Sequence, residues 1–181
     1  MTEILSFYRL HKDTPSPFFA TQGSACFDLH CMFDYDVPIE AYHSYSNVSG
    51  LTNSEGKIYL EPEVDSQDRE FVTIYRGVRA MIPTGLIFDI PVGYSVRLHS
   101  RSGLALKNGI VLVNQEAVID SDYVHETFVV IKNISDVPYH LYNKTRICQG
   151  ELVQNVPTTI EETKTRPSTE TRTGGFGSTG V

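Results

Sequence analysis

Residues 94–99 read Tyr94-Ser95-Val96-Arg97-Leu98-His99, apolar and polar in turn. A period of two sends successive side chains to opposite faces, so the stretch predicts a half-buried β-strand. Working outward, the same composition returns on both sides. Toward the N-terminus lie "LIFDI" (86–90), "FVTIYRGVRAMI" (71–82) and "ILSFYRL" (4–10); toward the C-terminus lie "GIVLVN" (109–114), "TFVVIKN" (127–133) and "PYHLY" (138–142). Each is short, rich in β-branched and aromatic residues, and bounded by turn formers, and each reads as a strand. No segment sustains a 3.6-residue period. The best helix candidate is "SGLALKNG" (102–109), with Ser102 as its cap and Asn108-Gly109 as its stop. The expected fold is all-β: a sandwich, jelly roll or barrel.

The 181 residues suit one domain with a short appendage. A net charge of −7 argues against a general nucleic-acid binder, but a few convergent arginines can still hold a small polyanion. Three cysteines, Cys26, Cys31 and Cys148, imply no disulfide framework. The histidines and cysteines do not fall at metal-ligand spacing, and the adjacent His30 and Cys31 point to opposite sides of a strand. The N-terminus lacks the pattern of a signal peptide, and no apolar run is long enough to span a membrane. The expectation is a cytoplasmic protein, in host cytoplasm if the source is viral, or nuclear if it is eukaryotic. The Asn-x-Ser/Thr matches at Asn47, Asn133 and Asn143 therefore read as chance.

Two segments break the strand pattern. Residues 34–70 carry nine Asp or Glu against Lys57 and Arg69, and read as an extended excursion with some strand around "KIYLEPE" (57–63). After Ile160 only Phe176 and Val181 are strongly apolar. The division expected is a β domain over 1–157, with an acidic insertion at about 36–69, and a C-terminal arm over 158–181.

Four groups could carry chemistry. Arg101 and Ser102 precede the short helix, where free backbone N–H groups favour an anion and a hydroxyl and a guanidinium suit a phosphate oxygen; a plain serine cap beside a surface arginine accounts for the same residues. In "NQEAVIDSDY" (114–123), Asp120 and Asp122 share a face if the backbone is extended, and a carboxylate there can orient and deprotonate a water. Taken by itself, the Asp-Ser-Asp run is read first as a turn at a hairpin tip. In "RICQG" (146–150), Arg146 and Gln149 flank an apolar pair, and Gln149 can place a water or merely satisfy backbone groups. The tail "TRTGGFGSTGV" (171–181) combines exposed glycine N–H groups at Gly174, Gly175 and Gly177 with Arg172 and a stacking ring, Phe176; flexible tails share that composition.

Taken in this order, the segments resemble the five motifs of the homotrimeric dUTP pyrophosphatase (dUTPase) family. "GSACFDLH" (23–30), "SRSGLALKNG" (100–109), "NQEAVIDSDY", "RICQGELV" (146–153) and "TRTGGFGSTG" (171–180) match motifs one to five, and the linking "AMIPTGLIFDI" (80–90) also fits. The resemblance implies a distorted jelly roll of the β-clip type, a homotrimer with shared active sites, and hydrolysis of dUTP to dUMP and pyrophosphate. That reaction limits uracil in DNA and supplies dUMP for thymidylate synthesis. By the same resemblance Asp28 orders water around a Mg2+ on the triphosphate. Arg101, Ser102 and Gly103 hold the phosphates, with Ser102 near the α–β bridge, and Asn114 reads the uracil edge. Asp120 contacts the 3′-hydroxyl and orients the attacking water, which Gln149 helps place. Tyr123 packs under the deoxyribose and excludes a 2′-hydroxyl. Arg172, Gly177 and Ser178 grip the phosphates while Phe176 covers the base.

The chain departs from the family pattern at named places. Ala117 stands where Gly is usual, and Tyr123-Val124-His125-Glu126 lacks the usual following Gly. Both touch base selectivity and leave a broader dUTP/dCTP pyrophosphatase as an alternative. Ser100 replaces a Pro, and Cys26-Phe27 replaces Gly and a smaller residue; only packing adjustment is expected there. A dCTP deaminase relative would lack the Gly-Gly-Phe-Gly arm. A nucleotide-sensing, partner-binding protein of the same fold is the alternative outside enzymes. The acidic segment is either a partner-binding arm or a tolerated surface insertion, of a kind that suits a virus or phage.

Overall fold

A computed structural model describes residues 3–43 and 56–169. Among these the elements run β1 Ser6–Arg9, β2 Phe27–His30, β3 Ile39–His43, β4 Lys57–Leu60, β5 Glu63–Val64, β6 Glu70–Ile74, β7 Val78–Pro83, β8 Leu86–Asp89 and β9 Tyr94–Ser100. Then come α1 Ser102–Asn108, β10 Ile110–Leu112, β11 Glu116–Asp120, β12 Phe128–Asn133, β13 Tyr139–Tyr142 and β14 Arg146–Gln154. The strands form sheets ordered β10-β12-β7-β3-β4, β11-β9-β14-β2, β13-β6-β5 and β1-β8, and every named pairing is antiparallel. This is the all-β architecture expected from the alternating runs, in the distorted jelly-roll form that the family resemblance implied.

Period-two patterning builds the core. Val78, Ala80 and Ile82 of β7 point inward beside Val129 and Ile131 of β12, while Arg79 and Met81 point out. From the second sheet Leu29, Val96, Leu98 and Cys148 are fully buried, and Leu104 of α1 is buried at the same core. Close-packed cores of this kind carry most of the stabilisation of a domain.

Several expectations change. "FVTIYRGVRAMI" is two strands, because Val78 N–H bonds to Tyr75 O (3.1 Å) across a turn with Gly77 at φ 75°; the halves join different sheets. The acidic segment is no plain surface excursion. Its β3 pairs with both β7 and β4, and Ile39, Ala41, Ile58 and Leu60 are buried. A cut from 40 to 66 would thus remove sheet and core. The helix begins one residue earlier than expected: Arg101, extended at φ −81° and ψ 123°, occupies the cap position and Ser102 is the first helical residue. Its end is as expected, with Gly109 at φ 64° closing onto Ala105 O and Leu104 O. β10 and β11 lie in different sheets, so the 112–116 connection is a crossover between layers and not a hairpin.

Asn133 is completely buried and cannot be a glycan acceptor, and Asn47 lies outside the described residues. Residues 155–169 leave the sheet and are exposed. No helix among the described residues is long and apolar enough to cross a membrane.

Candidate active site

Asp28 is the anchor of one end of the β11-β9-β14-β2 sheet. It is only 3% exposed, and its carboxylate is shared: Oδ1 accepts from Arg101 Nε (3.2 Å) and Oδ2 from Arg146 Nη1 (2.9 Å). Arg101 Nη1 also donates to the Arg146 carbonyl (3.1 Å). A buried carboxylate between two guanidinia satisfies itself and fixes both forks, which is what anion capture needs. Arg101, Lys144 and Arg146 line a cleft of about 330 Å³ together with His30, Tyr139 and Thr145. Burial holds the His30 imidazole below its ordinary value, against the opposing pull of Asp28, and its Nδ1 has no hydrogen-bond partner among the described residues. Ser102 and Gly103 are exposed at the first turn of α1 beside Arg101.

Gln149 reaches this end through an irregularity. Arg146 and Gln149 are three residues apart, and on a regular strand they would face opposite ways. The register instead slips between Arg146 and Cys148, leaving Ile147 as the extra residue, so that Arg146 lies opposite His30 and Gln149 opposite Asp28. His30 and Asp28 share a face, and the bulge therefore brings Arg146 and Gln149 to that face together.

Asp120, Tyr123 and Asn114 form a second cluster. All three line one cavity of about 260 Å³, with Ala117, Ile119 and Phe128 among its walls. Beyond Asp120 the chain turns, Tyr123 N–H bonding to Asp120 O (3.1 Å), so Asp122 does not continue the strand beside Asp120 as an extended backbone would place it. The turn sets the Tyr123 ring, whose hydroxyl donates to Glu126 O (2.9 Å). Asp120 is paired with Ser95, at the end of β9 remote from Arg101. The length of β9 separates the two, roughly 20 Å at ~3.3 Å per residue.

The structure thus joins Asp28, Arg101, Ser102, Gly103 and Gln149 at one end, and Asn114, Asp120 and Tyr123 in another cavity. Arg172, Phe176, Gly177 and Ser178 lie outside the described residues. Lys144 and His30 were given no role in the expected site, and Arg146 none beyond flanking an apolar pair; the basic run "NKTR" (143–146), which leads into motif four, was the available signal. The absence of metal-ligand spacing among the histidines and cysteines did not predict which of them meet in space. Cys26, His99 and Glu151 put their ligating atoms within 4.8 Å of one another, a meeting that linear spacing cannot show.

The dUTPase family model matches residues 66–180. The deoxyuridine 5'-triphosphate nucleotidohydrolase of Caulobacter vibrioides is 34% identical over 169 residues, covering 93% of this chain and 88% of the relative. The chain belongs to the dUTPase family. The deoxyuridine 5'-triphosphate nucleotidohydrolase of Roseobacter denitrificans is 42% identical over 109 residues, 60% of this chain and 72% of the relative. In fold, this dUTPase family member is similar to the Staphylococcus bacteriophage 80alpha dUTPase, a mutant solved with dUpNHpp. The TM-score is 0.71 at 20% identity, over 99% of this chain and all of that one.

Proposed function

We propose that the protein hydrolyses dUTP to dUMP and pyrophosphate by in-line attack of water at the α-phosphorus, at sites shared between copies of a homotrimer. The observation that carries this reading is the division of labour between the cation-lined cleft around Asp28 and the cavity of Asn114, Asp120 and Tyr123, whose lining holds one carboxylate and no cation. A nucleoside triphosphate needs both environments, one for its phosphates and one for its sugar and base.

The roles follow from the chemistry of each group. Arg101, held by Asp28, meets the phosphates with Lys144 and Arg146, and Ser102 and Gly103 meet them from the first turn of α1. Asp120 accepts the proton of the attacking water, Gln149 helps to place that water, and the bond to the pyrophosphate oxygen breaks as the new one forms. The Tyr123 ring, pinned through its hydroxyl, is a wall against which a 2′-hydroxyl would collide. Asn114 supplies donor and acceptor to the uracil edge. Arg172, Ser178, Gly177 and Phe176 of the arm close over phosphates and base.

Divalent-metal use is general for this hydrolase class, and we assign Mg2+ specifically. A carboxylate offers about four acceptor positions, and Arg101 and Arg146 take one on each oxygen of Asp28. What remains suits water of a hydrated Mg2+ and not direct ligation. When bound, the ion neutralises charge on the triphosphate.

The roughly 20 Å between Asp120 and Arg101 along β9 supports a site assembled from more than one copy, because one sugar-phosphate cannot reach both in one chain. Ala117, a wall of the base cavity where family members carry Gly, favours a second reading, a broader dUTP/dCTP pyrophosphatase. The test is pyrophosphate release with magnesium from dUTP, dCTP, dTTP and UTP side by side. Strong preference for dUTP is expected. Comparable turnover of dCTP establishes the second reading, and binding of dUTP without turnover of any nucleotide overturns both in favour of a nucleotide sensor.

A further inference from the structure

The outward face of the β11-β9-β14-β2 sheet carries a second polar constellation one step along from Asp28. Gln149 lies opposite both Asp28 and His99, and Gly150 opposite Phe27, so extending the register sets Glu151 against Cys26. By the period of two, Cys26, Glu151 and His99 share the face of Asp28 and Gln149. All three are half-buried. His99 Nε2 lies 3.0 Å from Glu151 Oε1, and His99 Nδ1 lies 4.0 Å from Glu116 Oε2. Arg97, the nearest cation by register, is engaged by Glu116 Oε1 (3.1 Å) and Ser95 Oγ (3.1 Å) rather than by Glu151.

We propose that Cys26, His99 and Glu151 form a binding site for a borderline-soft divalent transition metal of the zinc class, separate from the magnesium that accompanies the triphosphate. The donor set decides the class. One sulfur, one imidazole nitrogen and one carboxylate oxygen suit Zn2+ or Co2+, whereas Mg2+ and Ca2+ require oxygen. Two of the ligands are anions when bound, so the centre is neutral in total. Ligand atoms around tetrahedral zinc lie roughly 3.3–3.7 Å apart, so the present 4.8 Å limit closes by about an ångström at a side-chain tip. Glu116 stands beside the far ring nitrogen, where an outer carboxylate fixes the orientation of a ligating histidine. Three protein ligands leave a fourth place for water. Binding converts the Cys26 thiol to a metal-bound thiolate and releases one proton to solvent. The ligands come from β9, β14 and the residue preceding β2, so the ion staples three neighbouring strands beside the Asp28–Gln149 pair. This inference does not depend on the catalytic reading.

The experiment uses the full, untagged chain, reduced, stripped with EDTA and free of nucleotide. It is titrated with Co2+, and its zinc content is measured after gel filtration. Expected are one metal per chain, a thiolate-to-cobalt charge-transfer band, about one proton released, and a higher Tm with zinc. Cys26→Ser should abolish the band. Glu151→Gln, which keeps the side-chain shape, should weaken zinc binding at least about tenfold with an unchanged circular-dichroism spectrum. A band that persists in Cys26→Ser overturns the assignment, since a different thiol would then be the ligand. So do zinc contents far below one per chain, or a Glu151→Gln affinity equal to that of the parent.

Discussion

Asp120 is exposed at the end of β11, free to meet a water, and the reading of it as general base sets a number. Asp120→Asn keeps the shape and removes the basic oxygen, so kcat should fall on the order of 10²–10⁴ with KM little changed. Steady-state kinetics with dUTP decide it, and near-full turnover would remove Asp120 from that role. Gly150 shows the opposite kind of constraint. A Cβ built there would sit 2.5 Å from Phe27 Cε2 and 2.6 Å from its Cζ. Phe27 is 4% exposed and packs against Phe19 and Phe88, so the ring has nowhere to go. Gly150→Ala should cost roughly 1–3 kcal/mol in denaturant melts, and Phe27→Leu in the same chain should restore part of it. A Gly150→Ala protein as stable as its parent would mean that the strands can part at this point.

At the scale of elements, the β5–β6 connection is held by one carboxylate. Asp65 Oδ1 accepts Gln67 N–H (2.8 Å) and Arg69 N–H (3.1 Å), and Oδ2 accepts Arg69 Nε (2.8 Å). The Arg69 guanidinium then lies 4.4 Å from the Tyr142 ring centroid, tying the end of the acidic segment to β13. Arg69, chiefly through its side-chain hydrogen bond, holds the Asp65 carboxyl down at about 2. The folded value lies below the ordinary 3.8, so the contribution is present above about pH 4 and is lost as pH falls through about 2. NMR titration of the Asp65 carboxyl carbon should give a midpoint near 2. A midpoint near the ordinary value would show that Arg69 does not hold the turn. Asp65→Asn should destabilise the hairpin at neutral pH, and the difference should narrow toward pH 2.

For the whole molecule, the separation of Asp120 from Arg101 has a consequence that mixing can test. Asp120→Asn and Arg101→Ala chains should each be nearly inactive alone. If each site takes Arg101 from one copy and Asp120 from another, random co-assembly of equal amounts should rebuild about a quarter of the sites. Refolding the two together and measuring pyrophosphate release reads this directly. Activity no higher than the sum of the separate proteins would place both groups in one chain's site.

How much was legible follows from which interactions are local. The strands of 94–99, 86–90 and 127–133 were readable because alternation is a property of neighbours, and the helix stop at Gly109 because only a left-handed residue closes there. Motif order singled out Asp28, Arg101, Asp120 and Tyr123 as candidates, and it could not show that Asp28 and Arg101 meet at one end of the sheet while Asp120 and Tyr123 line a separate cavity. The break of residues 71–82 into two strands was not legible, because a turn through Tyr75-Arg76-Gly77 competes with continuous strand propensity and the packing of two sheets decides it. Nor was the burial of Ile39, Ala41, Ile58 and Leu60 inside an acidic segment, where average charge conceals a period of two. Sequence alone determined that this chain is an all-β protein bearing the dUTPase motifs in order. Only tertiary structure decided that a bulge turns Arg146 to the face of Gln149, and that Cys26, His99 and Glu151 meet: register between distant strands sets which side chains share a face, and no linear spacing records it.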